Sequence, residues 1–425
     1  MIERQNRGQL EGNMKEKLFS KDYFLVMLSG AGFSLTTQLF VAVIALYVVE
    51  ILGGTQAQAG ILTTAYASTS LISRLMAGVV SDRHGRVKLL IFGALVCAVA
   101  SALFGLPRAI PALIIIRIIH GFGYGMQHTC AGAVVADVVP KSRLAEGIGY
   151  YGLHVTLSQA IGPVIAIAVI GSRVQANYIL LFLIAAGICV VGMVSSCFIT
   201  YEKERKAASK SQENQVKSTT QPLTAASNQP PGKTLLGFDR AIIAPLVTLI
   251  IMYTGHNSAM IFMMPMANTW MGIENPGPFF LVRGLGIFLS RVILGRVVDK
   301  HGSDVVLIPG LITMIICFAL VPYASSLGTL IAVGFPLGLS QGAVIPTFSS
   351  MILLRSSPTR RGRSVAAFGS AYDMGQSIGA PILGRLADVY DLRYVFWAAA
   401  ITVSVALLIF LSVSSDRSYK RKYHH

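Results

Sequence analysis

Long apolar runs alternate with short polar breaks along this chain. Windows of about 20 mostly apolar residues, the length a helix needs to cross a bilayer, fall at 23–49, 57–80, 88–107, 110–138, 144–171, 178–200, 240–269, 277–298, 304–323, 328–353, 363–388 and 392–414. These predict twelve spans. One longer polar interval, 201–238, separates the sixth from the seventh and is rich in Lys, Ser, Gln, Asn, Thr and Pro. Such a composition predicts a flexible hydrophilic linker. The expected layout is an N-terminal tail (1–22), a six-helix bundle (23–200), the linker (201–238), a second six-helix bundle (239–414) and a C-terminal tail (415–425).

The two bundles repeat one another. Ser73-Arg74 is followed by Gly78, Asp82 and Gly85, and Ser290-Arg291 by Gly295, Asp299 and Gly302 at the same spacing. Gly121 and Gly125 in the fourth span recur as Gly338 and Gly342 in the tenth; Gly162-Pro163 in the fifth recurs as Ala380-Pro381 in the eleventh. Self-similar halves inside apolar sequence mark many secondary transporters.

Composition agrees with a membrane protein. The chain is 53% hydrophobic and 13% charged, whereas soluble proteins carry about a quarter charged residues. The net charge of +16 brings nucleic acid to mind, but the basic residues are scattered over alternate loops: Arg83, Arg86 and Lys88; Lys203, Arg205 and Lys206; Arg355, Arg360 and Arg361; Lys420 to Lys422. The loops between them are poor in Lys and Arg. This is the positive-inside pattern, not a basic face, and it excludes nucleic acid as a partner. It places both termini and the linker in the cytoplasm, with the chain multi-pass in a membrane. Cys97, Cys130, Cys189, Cys197 and Cys317 lie in apolar runs without metal-ligand spacing. No cleavable leader, metal or cofactor is expected. No nucleotide-binding loop appears, so no internal ATP motor is expected.

Charge inside the spans is scarce and therefore informative, because it costs several kcal/mol in a bilayer unless paired or hydrated. Arg117 stands in the fourth span, in Arg117-Ile-Ile-His120-Gly121-Phe-Gly123-Tyr-Gly125, and Asp373 in the eleventh. Asp373 lies ten residues in from Arg363, about 15 Å deep at ~1.5 Å per residue. Neither has a charged counterpart: Gly334 answers Arg117 and Val155 answers Asp373. An arginine keeps its proton, whereas burial and a nearby cation pull a carboxyl's proton affinity in opposite directions. Asp373 is thus expected to exchange the coupling proton, with Arg117 approaching and leaving it as the halves rock. His120, His154 and His256 are the next candidates. Gln38, Tyr66, His154, Tyr253, His256, Asn257, Arg283 and Gln341 are the in-span polar residues expected to line a substrate cavity, with Met252, Met260, Met263 and Met264 beside them.

The loop motif Gly78-x-x-x-Asp82-Arg83-x-Gly85-Arg86-x-Lys88 has a physical logic: Gly78 allows close helix approach and Gly85 a tight turn. It resembles the cytoplasmic signature of the major facilitator superfamily. The second copy is degenerate, with Ser303 and Asp304 where basic residues are expected. The fourth-span motif is similar to the family's R-x-x-Q-G-x-G, with His120 at the usual Gln. Gly152-Leu-His154 through Gly162-Pro163 resembles the motif of the antiporter branch, although Ser158, Ala166 and Ile167 replace expected glycines. The stretch from Leu46-Tyr47 through Gly60-Ile61 looks like bacterial twelve-span drug/proton antiporters, which implies a bacterial inner membrane and a proton gradient as the energy source.

The resemblance implies an all-α membrane protein of two pseudo-symmetric six-helix bundles, and a transporter, not an enzyme. It implies a gate of Gly78, Asp82, Arg83, Gly85 and Arg86, with Asp137 pairing with Arg86. It links Arg117 to proton coupling and the Gly162-Pro163 bend to antiport. The expected function is proton-coupled export of drugs or other small amphipathic molecules by a monomer. A second reading stays open: specific transport of an anionic metabolite such as a carboxylate metal chelator, favoured by Arg117, Arg283 and His256. The linker is too short to hold a signalling domain.

Overall fold

The computed structural model describes residues 18–140, 143–202, 234–235, 238–357 and 361–415. Both expected tails, for the most part, and most of the expected linker lie outside the described residues. Twelve long helices run in order: α1 (Lys21–Leu46), α2 (Gln56–His84), α3 (Arg86–Leu103), α4 (Ile110–Val138), α5 (Leu144–Ile170), α6 (Gln175–Cys197), α7 (Arg240–Ile261), α8 (Gly277–His301), α9 (Asp304–Leu320), α10 (Leu327–Leu354), α11 (Arg361–Val389) and α12 (Leu392–Ile409). Among the described residues, nine helices are long and apolar enough to cross a membrane by length and composition. The other three long helices, α2, α8 and α11, are the most polar of the set. Just before α7, Thr234–Leu235 and Phe238–Asp239 form a two-residue antiparallel ladder, with Thr234 opposite Asp239.

Local chemistry sets several helix ends. Thr55 opens α2 with a capping box to Gln58, and Ser326 opens α10 with one to Thr329. Asp391 accepts from Arg393 N at the start of α12; bonded by Arg393, its carboxyl is held below the usual carboxylate range. Gly85 (φ 95°) and Gly302 (φ 89°) make the α2–α3 and α8–α9 turns in a conformation that favours glycine. The first helix of each half leads into a π-helical turn, Tyr47–Ile51 after α1 and Met266–Trp270 after α7.

Packing repeats as the sequence does. In the first half α4 packs on α2 and α3, and α1 on α5 and α6; in the second, α10 packs on α8 and α9, and α7 on α11 and α12. The glycines do the same work twice. A Cβ on Gly121 would strike the carbonyl of Tyr66, and one on Gly338 the carbonyl of Arg283. Gly125 meets Ser70 and Ser73 where Gly342 meets Ile287 and Ser290. Small residues let helix backbones approach closely where lipid offers no hydrophobic drive between helices.

The halves meet along two seams, α2–α11 and α5–α8. Since the helix number is even, the chain begins and ends on one side, termed here the terminal side. On the opposite side the α2–α11 seam is tight. Gln56 N and Ala57 N each donate to Asp388 at 2.8 Å, and Thr64 Oγ1 donates to Ser377 O at 2.8 Å. Gly60 lies against Ala380 and Pro381, and Gly384 against Gln56. On α5–α8, Gly284 lies against Ala160. Toward the terminal side such contacts are missing at two positions: among the described residues, nothing beyond the neighbouring backbone of its own helix lies within 4 Å of where a Cβ on Gly78 or Gly149 would sit. Among the described residues the halves do not meet at these two positions, so Gly78 does not make the close approach expected of it.

Candidate transport cavity

A cavity of about 240 Å³ lies between the halves, where the seams begin to part. Gln38, Tyr66, Tyr253 and Gln341 line it, together with Arg117 and Asp373. A narrower extension reaches Asn257 and Arg283 and shares Gln38 and Gln341 with the main cavity.

Asp373 is 1% exposed, and its partner is not Arg117. Arg74 Nε lies 2.7 Å from Asp373 Oδ2, and Ser70 Oγ donates to the same oxygen at 3.2 Å. Arg74 and Ser70 belong to α2, so this ion pair joins the halves. Arg74 also lies over the Tyr124 ring at 5.4 Å. Arg117 sits elsewhere, among aromatic faces: its guanidinium is 4.9 Å from the Phe40 and Tyr66 ring centres and 5.4 Å from that of Phe104. Cation–π contact of this kind stabilises a desolvated cation without a carboxylate. Arg117 Nη1 and His120 Nδ1 are 3.3 Å apart, and His120 packs edge-on against Phe40 and Tyr66.

Among the described residues, two further arginines lack a carboxylate. Arg283 Nη2 donates to Gln341 Oε1, and Arg291 Nη1 donates to Gly152 O at 3.3 Å. The Nε atoms of Arg117, Arg283 and Arg291 are enclosed and have no hydrogen-bond partner among the described residues. The aromatic wall is formed by Tyr66, Tyr124, Phe368 and Tyr372.

Several expected cavity residues lie elsewhere. His154 opens onto an apolar outer groove between α1, α5 and α6, against Tyr151. His256 is fully buried against Phe318 of α9 and lines neither the cavity nor its extension. Met252, Met263 and Met264 are core packing, and Met260 alone of the four touches the extension.

The gate motif is partly visible. Arg86 Nη1 lies 2.6 Å from Asp137 Oδ2, the pairing the loop motif implies, and also donates to Ala133 O at 3.2 Å. Both contacts are within the first half. Glu202, unforeseen, accepts from Val87 N at 3.2 Å at the start of α3. The side chains of Asp82 and Arg83 lie outside the described residues. At the bend, Pro163 lies inside α5 and Gly162 fits against Gln38 of α1.

The family model for the Major Facilitator Superfamily matches residues 24–282 and 235–423. The chain belongs to that superfamily. It is a multi-pass membrane transporter and not an enzyme. Among its relatives is the staphylopine export protein of Staphylococcus aureus, 22% identical over 84% of this chain and 87% of the relative. Another is the multidrug resistance protein MdtG of Proteus mirabilis, 29% identical over 94% and 96%. A bacterial homologue of the human lysosomal transporter Spinster shares the fold with a TM-score of 0.73 at 13% identity, over 95% of this chain and 97% of that one.

Proposed function

We propose that this superfamily member exports a small carboxylate-bearing molecule, driven by the proton gradient through alternating access. Charge carries the reading. Arg74, Arg117, Arg283 and Arg291 line the cavity and its extension, against Asp373 as the one carboxylate among their described lining residues. Three cations without a carboxylate are costly inside a membrane, and an anion gains charge-assisted hydrogen bonds there. The staphylopine relative is an export protein by name, which supports the outward direction. Asp373 serves as the proton carrier: ionised it holds Arg74 across the α2–α11 seam, and protonated it releases it.

A second reading, export of amphipathic drugs, draws on the aromatic wall and the MdtG relatives. One panel separates the two. Everted vesicles are offered citrate, phenylsuccinate and nitrilotriacetate, and in parallel the cationic dye ethidium, with and without a pH gradient. Gradient-dependent uptake of a carboxylate is expected. Uptake of ethidium with none of the anions would sink the first reading.

The distribution of Lys and Arg supports a cytoplasmic position for both termini and the linker. Gln215→Cys should therefore resist an impermeant maleimide in intact cells and react after permeabilisation. Rapid labelling from outside reverses the topology.

A further inference from the structure

The two seams between the halves follow one plan and are finished differently. On α2, Arg74 reaches α11, its Nη1 4.0 Å from where a Cβ on Gly369 would sit, and Asp373 and Ser70 complete the contact. On α8, the repeat counterpart Arg291 reaches α5, its Nη1 3.5 Å from where a Cβ on Gly152 would sit. Here the counterpart of Asp373 is Val155 and that of Ser70 is Ile287. Arg291, Val155 and Ile287 all line the cavity. Arg291 commits Nη1 to Gly152 O, and its Nε is enclosed and unpartnered. The second seam thus keeps the cation of the first and lacks the acid.

We propose that a carboxylate of the cargo supplies that acid, binding Arg291 in the place that Asp373 occupies on Arg74. The remaining N–H groups of the guanidinium, on Nε and Nη2, lie along one edge as two parallel donors, the geometry that a carboxylate accepts. Val155 and Ile287 line the same cavity with carbon, so the cargo presents an apolar skeleton next to that carboxylate; an oxygen-rich group set against these walls would lose its water without gaining a partner. The inference rests on the anionic-cargo reading and narrows it to a carboxylate beside an apolar group. It also makes Val155 a specificity determinant: an acid at this position would occupy Arg291 from within.

The test is binding of phenylsuccinate and of citrate to purified full-length protein in nanodiscs, by titration calorimetry. Phenylsuccinate is expected to bind more tightly than citrate. Val155→Asp should weaken phenylsuccinate at least about tenfold relative to Val155→Asn, which has the same shape without the charge. Arg291→Gln should weaken it by a similar factor, and the double variant Val155→Asp/Arg291→Gln by little more than either alone. Val155→Asp should also melt higher than Val155→Asn in the absence of ligand. Should Val155→Asp fail to fold, Arg291→Gln decides by itself. Anion binding that survives these substitutions overturns the inference and leaves the anionic reading in place. Failure of the wild-type protein to bind either anion overturns both.

Discussion

Asp373→Asn abolishes gradient-driven accumulation while downhill exchange of cargo persists. The substitution keeps the shape and removes the ionisable group. In the wild-type protein the carboxylate faces Arg74 and Ser70 of α2, with Tyr124 and His128 of α4 and its neighbour Tyr372 around the same cavity. Removing one partner of a buried ion pair costs about 3–5 kcal/mol, because the other charge is stranded. Here that cost falls on the arrangement in which α2 and α11 touch, since the pair spans the halves. The variant should favour separation of that seam and should no longer let a proton choose between the two states. Accumulation is expected to fall at least about 100-fold, given how steeply populations follow such energies. Everted vesicles read the gradient-driven component and counterflow in proteoliposomes reads exchange. Unchanged gradient-driven accumulation would remove Asp373 from coupling.

Gly60→Val should stop transport without unfolding the protein, whereas Gly125→Val should prevent folding. A Cβ on Gly60 would strike Ala380 O and lie 2.8 Å from Pro381 Cα, backbone atoms of the other half. Overpacking costs about 1–3 kcal/mol, and rigid-body separation of the halves relieves it. The closed arrangement on the opposite side then loses population by a factor of about 100 at the upper end of that range. A Cβ on Gly125 meets Ser70 O and Ser73 Oγ within the first half, where no such motion brings relief. The check is paired: yield and monodispersity in detergent for folding, and spin-label distances between α2 and α11 for the state. Normal transport by Gly60→Val would show that this seam need not close.

The twelve helices and the division into halves were legible because apolar length and repeated glycines report on lipid and on close packing, both local properties. The partner of Asp373 was not. Arg74 stood in plain view inside the repeated Ser-Arg pair, but repetition made it look architectural, and no spacing reveals which side chains meet across separate bundles. The signal available was an in-span arginine with no acid near it on its own helix. Arg117 misled for the same reason: Phe40 and Phe104 come from other helices, so the aromatic surroundings that satisfy it leave no mark near position 117. His154 and His256 were misplaced because polarity alone does not say which way a buried helix is turned.

Asp388 joins the first-turn amides of α2 from the far end of α11, at an exposed position. A helix of one half thus takes part of its N-terminal cap from the other. The attraction between a carboxylate and a helix N-terminus is electrostatic and is screened by salt. The balance between the two access states therefore depends on ionic strength on that side of the membrane: dilute medium favours closure there, and concentrated salt favours opening.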